Sequence, residues 1–261
     1  MKTRVLVTGA NGQLGRTIKE LYEINDYNIE FVFVTKTELD ITEEEKLHRY
    51  FEANSFDYCI NCAAYTDVEQ AEKTPEIAFK VNAEGVKYLA EACKKNKAVL
   101  VHISTDYVFD GEKETPYTID DEPNPINEYG KSKMLGEQFI REDLENFFII
   151  RTSWLYSTKY GNNFYNAILK KARTDTELFV TDQQVGCPTN AENLANYILK
   201  LLSTESTHFG IKHFTDDVSM TWYCFAEGIL KRNNLYDKVK LVKAGNYRTF
   251  ARRPKNSVLK S

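Results

Sequence analysis

The chain has 261 residues, of which 42% are hydrophobic and 28% charged, and its formal net charge is -4. Such a chain suits one large α/β domain, or a large and a small lobe sharing a core, and its acidic balance gives no electrostatic reason to expect nucleic acid as a partner. No stretch approaches the ~18 apolar residues of a membrane span, and the run Val5-Leu6-Val7 near the start is too short for an export signal, so the sequence reads as soluble and cytoplasmic, with no membrane partner.

The five cysteines, Cys59, Cys62, Cys93, Cys187 and Cys224, are odd in number and scattered, which argues against a disulfide framework. Cys59 and Cys62 form a C-x-x-C, but inside the apolar run Tyr58–Ala64, so they are read as small hydrophobes rather than a redox or zinc pair.

In chain order, Arg4–Val7 is a short apolar run ending at glycines, as a buried parallel strand does. Leu14–Leu21 has helical spacing, and Phe31–Val34 is a second strand. Glu43–Ala53 is amphipathic, with Thr42 expected as N-cap and Glu45 completing a capping box. Tyr58–Cys62 is a third strand, Pro75–Lys95 a long helix, Val99–Ile103 a fourth strand, Tyr129–Arg141 a helix and Phe148–Ile150 a fifth strand. This alternation predicts an α/β fold, a doubly wound parallel sheet with right-handed crossovers, over residues 1–151. Beyond residue 152 the pattern is broken by Gly161-Asn162-Asn163, Gly186-Cys187-Pro188 and Asp216-Asp217. Residues 152–261 are therefore expected to form mainly a smaller C-terminal lobe over the ligand edge, a substrate-binding lobe, with some segments returning to the sheet.

The first strand runs into Thr8-Gly9-Ala10-Asn11-Gly12-Gln13-Leu14-Gly15. Gly9 suits the tight turn, Gly12 a close backbone approach to a pyrophosphate and Gly15 close packing of helix on sheet, the arrangement of a Rossmann-type dinucleotide site. The N–H groups of the following helix start would give an acidic protein its local anion site. The end of the second strand, Val34-Thr35-Lys36, lacks the acid that favours the ribose hydroxyl of NAD. A hydroxyl and a cation there tolerate a 2′-phosphate, so NADPH is expected, with NADH still open; Asp40 would meet the adenine end.

Tyr129 and Lys133 are four apart on a predicted helix and share a face. An ammonium about 5 Å from a phenol, at an effective dielectric of ~20, is worth ~3 kcal/mol, roughly two pKa units, and would tune Tyr129 for proton transfer near neutral pH. Ser104-Thr105 ends the fourth strand at the ligand edge, where the Thr105 hydroxyl can bond a substrate oxygen.

These residues resemble the extended short-chain dehydrogenase/reductase family, in its branch acting on nucleotide-linked deoxy sugars. The matching stretches are TGANGQLG from Thr8, LDIT from Leu39, NCAAYTDVEQAE from Asn61, STDYVFDG from Ser104, YGKSK from Tyr129, RTSWLY from Arg151, GNNF from Gly161, CPT from Cys187 and ARRPKNS from Ala251. The resemblance implies hydride transfer from NADPH to the 4-keto carbon of a dTDP-linked 4-keto-6-deoxy sugar, dTDP-4-keto-L-rhamnose. It implies that Tyr129 protonates the forming alkoxide, that Lys133 holds the nicotinamide ribose and that Thr105 orients the keto oxygen. Gly9, Asn11, Gly12, Gln13, Leu14, Gly15, Asp40, Ile41, Ala63, Ala64 and Tyr65 would line the cofactor. Asp106, Tyr107 and Trp154 would meet the sugar, and Asn163 and Arg253 would reach it from the small lobe. Trp154 offers a broad apolar face, and Arg252 with Arg253 can clamp a diphosphate.

Some relatives hold magnesium through glutamates between two subunits. Glu192 fits one such position but Thr17 stands at another, so no metal is expected, and the chain is expected to act as a monomer or homodimer. The chain stops at Ser261, where relatives continue with a further helical segment; its absence would weaken the small lobe or an interface, unless the sequence itself is cut short. Two rivals stay open: another nucleotide-sugar reductase or an epimerase, and a non-catalytic subunit of the kind that regulates methionine adenosyltransferase. An intact Thr105, Tyr129 and Lys133 argues against the second.

Overall fold

The computed structural model describes residues 2–24, 29–245 and 249–261. The short apolar runs become strands and the amphipathic stretches between them helices: β1 (Thr3–Thr8), α1 (Gln13–Ile24), β2 (Ile29–Phe33), α2 (Glu44–Ala53), β3 (Tyr58–Asn61), α3 (Val68–Lys73), α4 (Pro75–Phe79), α5 (Gly85–Asn96), β4 (Val99–Thr105), α6 (Glu128–Asp143) and β5 (Phe147–Thr152). The second half adds β6 (Leu155–Tyr156), α7 (Phe164–Lys171), β7 (Glu177–Val180), β8 (Val185–Gly186), β9 (Thr189–Asn190), α8 (Ala191–Ser203), β10 (Gly210–His213), β11 (Met220–Thr221), α9 (Trp222–Arg232) and β12 (Lys240–Lys243). No helix among the described residues is long and apolar enough to cross a membrane.

Six strands form one parallel sheet in the order β10-β5-β4-β3-β1-β2. The chain leaves β1 for β2 on one side and then returns to lay β3 on the other. This reversal opens a crevice between the loops that follow β1 and β3, at the strands' carboxyl ends. Alternate residues of each strand enter opposite cores, as the pleat requires. Leu6, Cys59, Leu100 and Ile149 meet Leu47, Phe51, Leu89 and Ile140 of α2, α5 and α6. Val5, Val7, Ile60, Val101 and Phe148 meet Ile18 of α1 and Leu194, Ile198 and Leu199 of α8.

Two pieces of the second half thus belong to the sheet layers: α8, packed beside α1, and β10, paired with β5. A separate core sets Tyr165 and Ile168 of α7 against Phe225, Ile229 and Leu230 of α9 and Leu178 of β7, while Leu259 packs with Val108, Phe109 and Tyr117.

One local expectation is corrected and another gains a detail. Thr42 caps nothing: its N–H and hydroxyl both donate to Asp40 Oδ1, at 3.0 and 2.9 Å, and α2 begins after Glu43 without a side-chain cap. The long helix from Pro75 is continuous but widens into a π-turn over Lys80–Glu84. There Asn82 turns inward, its amide taking Tyr65 N–H at 2.8 Å and donating to Tyr65 O and Ser132 Oγ at 2.9 and 3.0 Å.

Beneath the carboxyl end of β4 and β5 lies a buried ion pair. Arg151 donates to Glu137 through Nε at 3.0 and 3.2 Å and through Nη2 at 2.7 Å, and Ser104 Oγ donates to the same carboxylate at 2.5 Å. Truncating one partner strands the other's charge in a low dielectric. Glu137→Ala is expected to lower stability by ~3–5 kcal/mol, measured by denaturant unfolding against the wild type.

Candidate active site

The crevice at the strand reversal holds a cleft of about 530 Å³, into which both halves of the chain contribute. The first glycine turn reaches it through Gly12, Gln13 and Leu14. Gly9 has φ +65°, a conformation other residues resist, and a Cβ there would lie 2.5 Å from Ala63 N, so this glycine lets the loop after β1 close on the loop after β3. Gly15 packs in the same way, a Cβ meeting Gly9 O at 2.7 Å. Gly12 lines the cleft, where a Cβ would meet only Gly9 O at 3.2 Å. The first turn of α1 carries no acid, and its N–H groups have no partner within the helix. A backbone surface free of side chains, next to a positive helix end, fits the pyrophosphate of a dinucleotide.

Beside the cradle stand Thr105, Tyr107, Tyr129 and Lys133. Asn127 caps α6, its Oδ1 accepting from Gly130 N–H at 2.7 Å, which fixes where Tyr129 leaves the first turn. Gly130 is pressed against β4's exit, since a Cβ would lie 2.1 Å from Tyr107 O. The rings of Tyr107 and Tyr129 meet edge to face at 5.9 Å. Burial raises the Tyr129 phenol above its usual range, opposed by the nearby Thr105 hydroxyl. This corrects the expected tuning by Lys133. The lysine Nζ is turned to Ile103 O at 2.7 Å and His102 Nε2 at 3.1 Å, and burial brings Lys133 itself down to about 8. Desolvation is the largest cause of both shifts.

Asp106 lines the cleft with its carboxylate already engaged, by Thr105 Oγ1 at 3.0 Å, Ser153 Oγ at 2.9 Å and Ser257. Burial pushes it up to about 6 against those hydrogen bonds. At the far end Trp154, with φ +46°, stacks on Trp222 at 3.5 Å between ring centroids. A Cβ on Gly186 would strike the Trp154 ring at 2.5 Å, so the ring is seated against bare backbone. Arg253 Nη2 donates to Glu69 Oε1 at 2.7 Å, while its buried Nε has no protein partner.

The whole length of this frame is shared with known proteins. Residues 3–261 match the family described as RmlD substrate binding domain. The chain belongs to that family. A dTDP-4-dehydrorhamnose reductase of Aggregatibacter actinomycetemcomitans is 38% identical over 98% of this chain and 90% of its own. Solved dTDP-4-dehydrorhamnose reductases from Clostridium acetobutylicum and Bacillus anthracis are each 38% identical. Their TM-scores are 0.93 and 0.94, the matches cover 99% and 100% of this chain and 90% and 91% of theirs, and the second is in complex with NADP.

Within this RmlD-type cleft, Gly12, Gln13, Leu14, Ala64, Thr105, Asp106, Tyr107, Tyr129, Lys133, Trp154, Asn163 and Arg253 are brought together, while Gly9, Asn11, Gly15, Asp40, Ile41, Ala63 and Tyr65 lie outside its lining. Several carry structural duties. Ile41 is buried against Gly85. Gln13 ties the two halves, donating to Leu155 O at 3.1 Å and accepting from Asn163 Nδ2 at 3.1 Å. Asn163 also caps α7 and donates to Ser157 O and Tyr160 O, so its side chain is spent on the fold. Of the two arginines only Arg253 lines the cleft; Arg252 is exposed. Glu192 lies 3.8 Å from the Lys159 ammonium, which also pairs with Glu20 at 2.5 Å, and Thr17 donates to Gln13 O.

Sequence reasoning missed Trp222, Asn82 and His102. The last carried a signal, as the one strongly polar side chain in the apolar run Val99–Ile103.

The Asp106 shift has a definite sign. Its folded-state value is raised, so its contribution to stability is complete below 3.8 and is lost as pH rises through about 6. A shift of that size is worth roughly 3 kcal/mol. Asp106→Asn is expected to gain about that much on the wild type between the acidic and neutral ends of this window; denaturant midpoints measured across the window check it, and a constant difference contradicts it.

Proposed function

We propose that the protein reduces the 4-keto group of dTDP-4-dehydro-L-rhamnose to give dTDP-L-rhamnose, with NADPH as the preferred reductant, in the cytoplasm. One observation carries the reading: in an RmlD-family chain, a single cleft joins a glycine-turn phosphate cradle to a half-buried tyrosine, a hydroxyl and a stacked aromatic platform. Bound along the cradle, NADPH would supply the hydride to C4 of the sugar.

The chain's own residues supply the rest. The raised phenol of Tyr129 keeps its proton at neutral pH, the state a general acid needs when a ketone oxygen becomes an alkoxide. Thr105 stands next to it; its hydroxyl donates to Asp106 in the ligand-free protein and would turn that proton to the keto oxygen when the sugar binds. Lys133 meets the cofactor ribose, and Gly12 with the start of α1 takes the pyrophosphate. The Trp154–Trp222 pair gives the deoxy sugar an apolar face, and Arg253, anchored on Glu69 with Nε to spare, meets the nucleotide-sugar's anionic part. Lys36, exposed just past β2 and 3.6 Å from Asp40, is the cation for a 2′-phosphate.

The deciding experiment is turnover of dTDP-4-dehydro-L-rhamnose with NADPH and with NADH. A reductase consumes the cofactor mole for mole with sugar; an epimerase returns it unchanged, and no consumption defeats the proposal. Tyr129→Phe is expected to cut kcat by roughly 10²–10⁴-fold while leaving NADPH affinity nearly intact, and wild-type turnover in that variant would remove the assigned acid. Lys36→Asp is expected to move the ratio of kcat/KM values toward NADH; an unchanged ratio counts against its contact with the 2′-phosphate.

A further inference from the structure

Neither face of the Trp154 indole is open to the cleft. A Cβ on Gly186 would lie 2.5 Å from Trp154 Cε2 and 2.7 and 2.8 Å from Nε1 and Cζ2, the two outer atoms bonded to it. Such an order places Gly186 over the face of the ring, since an approach along the edge would meet those two atoms before Cε2. Trp222 lies on Trp154 with ring centroids 3.5 Å apart and planes 8° from parallel. That overlap is nearly complete, so Trp222 covers the opposite face. Phe164 meets Trp222 at 4.4 Å between centroids, too close for a contact past the edge of an indole, and so caps its outer face. The layers run Gly186, Trp154, Trp222, Phe164. The two indoles are held differently. Trp154 sits at φ +46° between β5 and β6, its carbonyl accepting from Thr189 N–H at 3.4 Å and its ring resting on backbone. Trp222 is the first residue of α9, set beside the platform because Met220 of β11 pairs with Gly186 of β8. Apart from ring contacts, its side chain is kept by one hydrogen bond, Nε1 donating to Gln184 Oε1 at 3.1 Å. Gln184 is half-exposed and lies outside the cleft lining. A change of side-chain rotamer therefore frees Trp222 with its backbone in place, whereas Trp154 moves only with its turn.

We propose that Trp222 is a specificity-determining gate on the sugar subsite: it keeps the sugar ring's place on Trp154, and the sugar enters by turning it aside and stacking on the indole face it leaves. The inference deepens, and rests on, the reading of the cleft as a nucleotide-sugar site. An aromatic pair is worth a factor of roughly 2–10 in an equilibrium, and the Gln184 hydrogen bond a similar factor. A deoxy-sugar ring brings an apolar C–H face that replaces the contact it breaks. A nucleotide without a sugar brings nothing to the platform and binds with the gate shut. The nucleotide-sugar binds only the open fraction, and its apparent affinity is lowered by that fraction. Trp222 thus screens for a ring able to replace its own stacking.

Gln184→Ala loosens the gate without touching the cleft lining. It is expected to tighten binding of dTDP-L-rhamnose by roughly 2–10-fold, read by calorimetry, and to leave the affinity for dTDP unchanged. A merely structural Gln184 would move both affinities together or neither; either result, or weaker binding of the sugar nucleotide, overturns the proposal. Should the variant not fold, a crystal structure of the wild-type protein with dTDP-L-rhamnose decides. The expected result is Trp222 rotated off Trp154 with the sugar ring in its place, and indoles still stacked beside a bound sugar overturn the gate. That outcome leaves the reduction standing. A protein that binds dTDP but no dTDP-L-rhamnose defeats the substrate reading itself, and the gate falls with it.

Discussion

The hydrogen-bonded row Thr8–Asn61–His102–Lys133 is the constraint on which the site depends, because it fixes at one level three strands and the helix packed over them. A sheet buried on both faces can admit such polar side chains only if each finds a partner. Register supplies them, setting Thr8 beside Asn61 and Asn61 beside His102. Asn61 also takes the Ala63 N–H, so it shapes the loop on which Gly9 rests. The glycine turn and the Tyr129–Lys133 pair are therefore one unit: Asn61 cannot shift for one without disturbing the other. The Glu137–Arg151 pair, with Ser104, fixes β4 to α6 and β5 from beneath.

Burial sets the chemistry more than pairing does. A simple Coulomb argument lets a nearby ammonium lower a phenol's pKa, yet Tyr129, Lys133, His102 and Asp106 all move toward their neutral forms. With both ring nitrogens of His102 in contact, each proton's place is decided by its neighbour's, and charge becomes the costly alternative.

Much of the frame is legible in the chain. The runs Val5–Val7, Tyr58–Cys62 and Val99–Ile103, each followed by small or hydroxyl residues, mark strands and their ligand edge, and the glycine spacing marks the turn. Those signals are local and periodic. What is not legible depends on distant contacts. Thr42 was free to cap until Asp40 claimed both its donors. Tyr129 and Lys133 do share a helix, but the direction of Nζ depends on a histidine in β4. Trp222 lies 68 positions from Trp154 and meets it only when the second lobe folds back. The pairing of β10 with β5, and the seat of α8 beside α1, likewise come from a region whose punctuation hides its return to the sheet.

That stacked pair has a further consequence. Trp154 and Trp222 are the chain's two tryptophans, and both line the cleft. The protein's indole emission therefore originates entirely within the cleft, making the molecule its own optical gauge of anything that enters it.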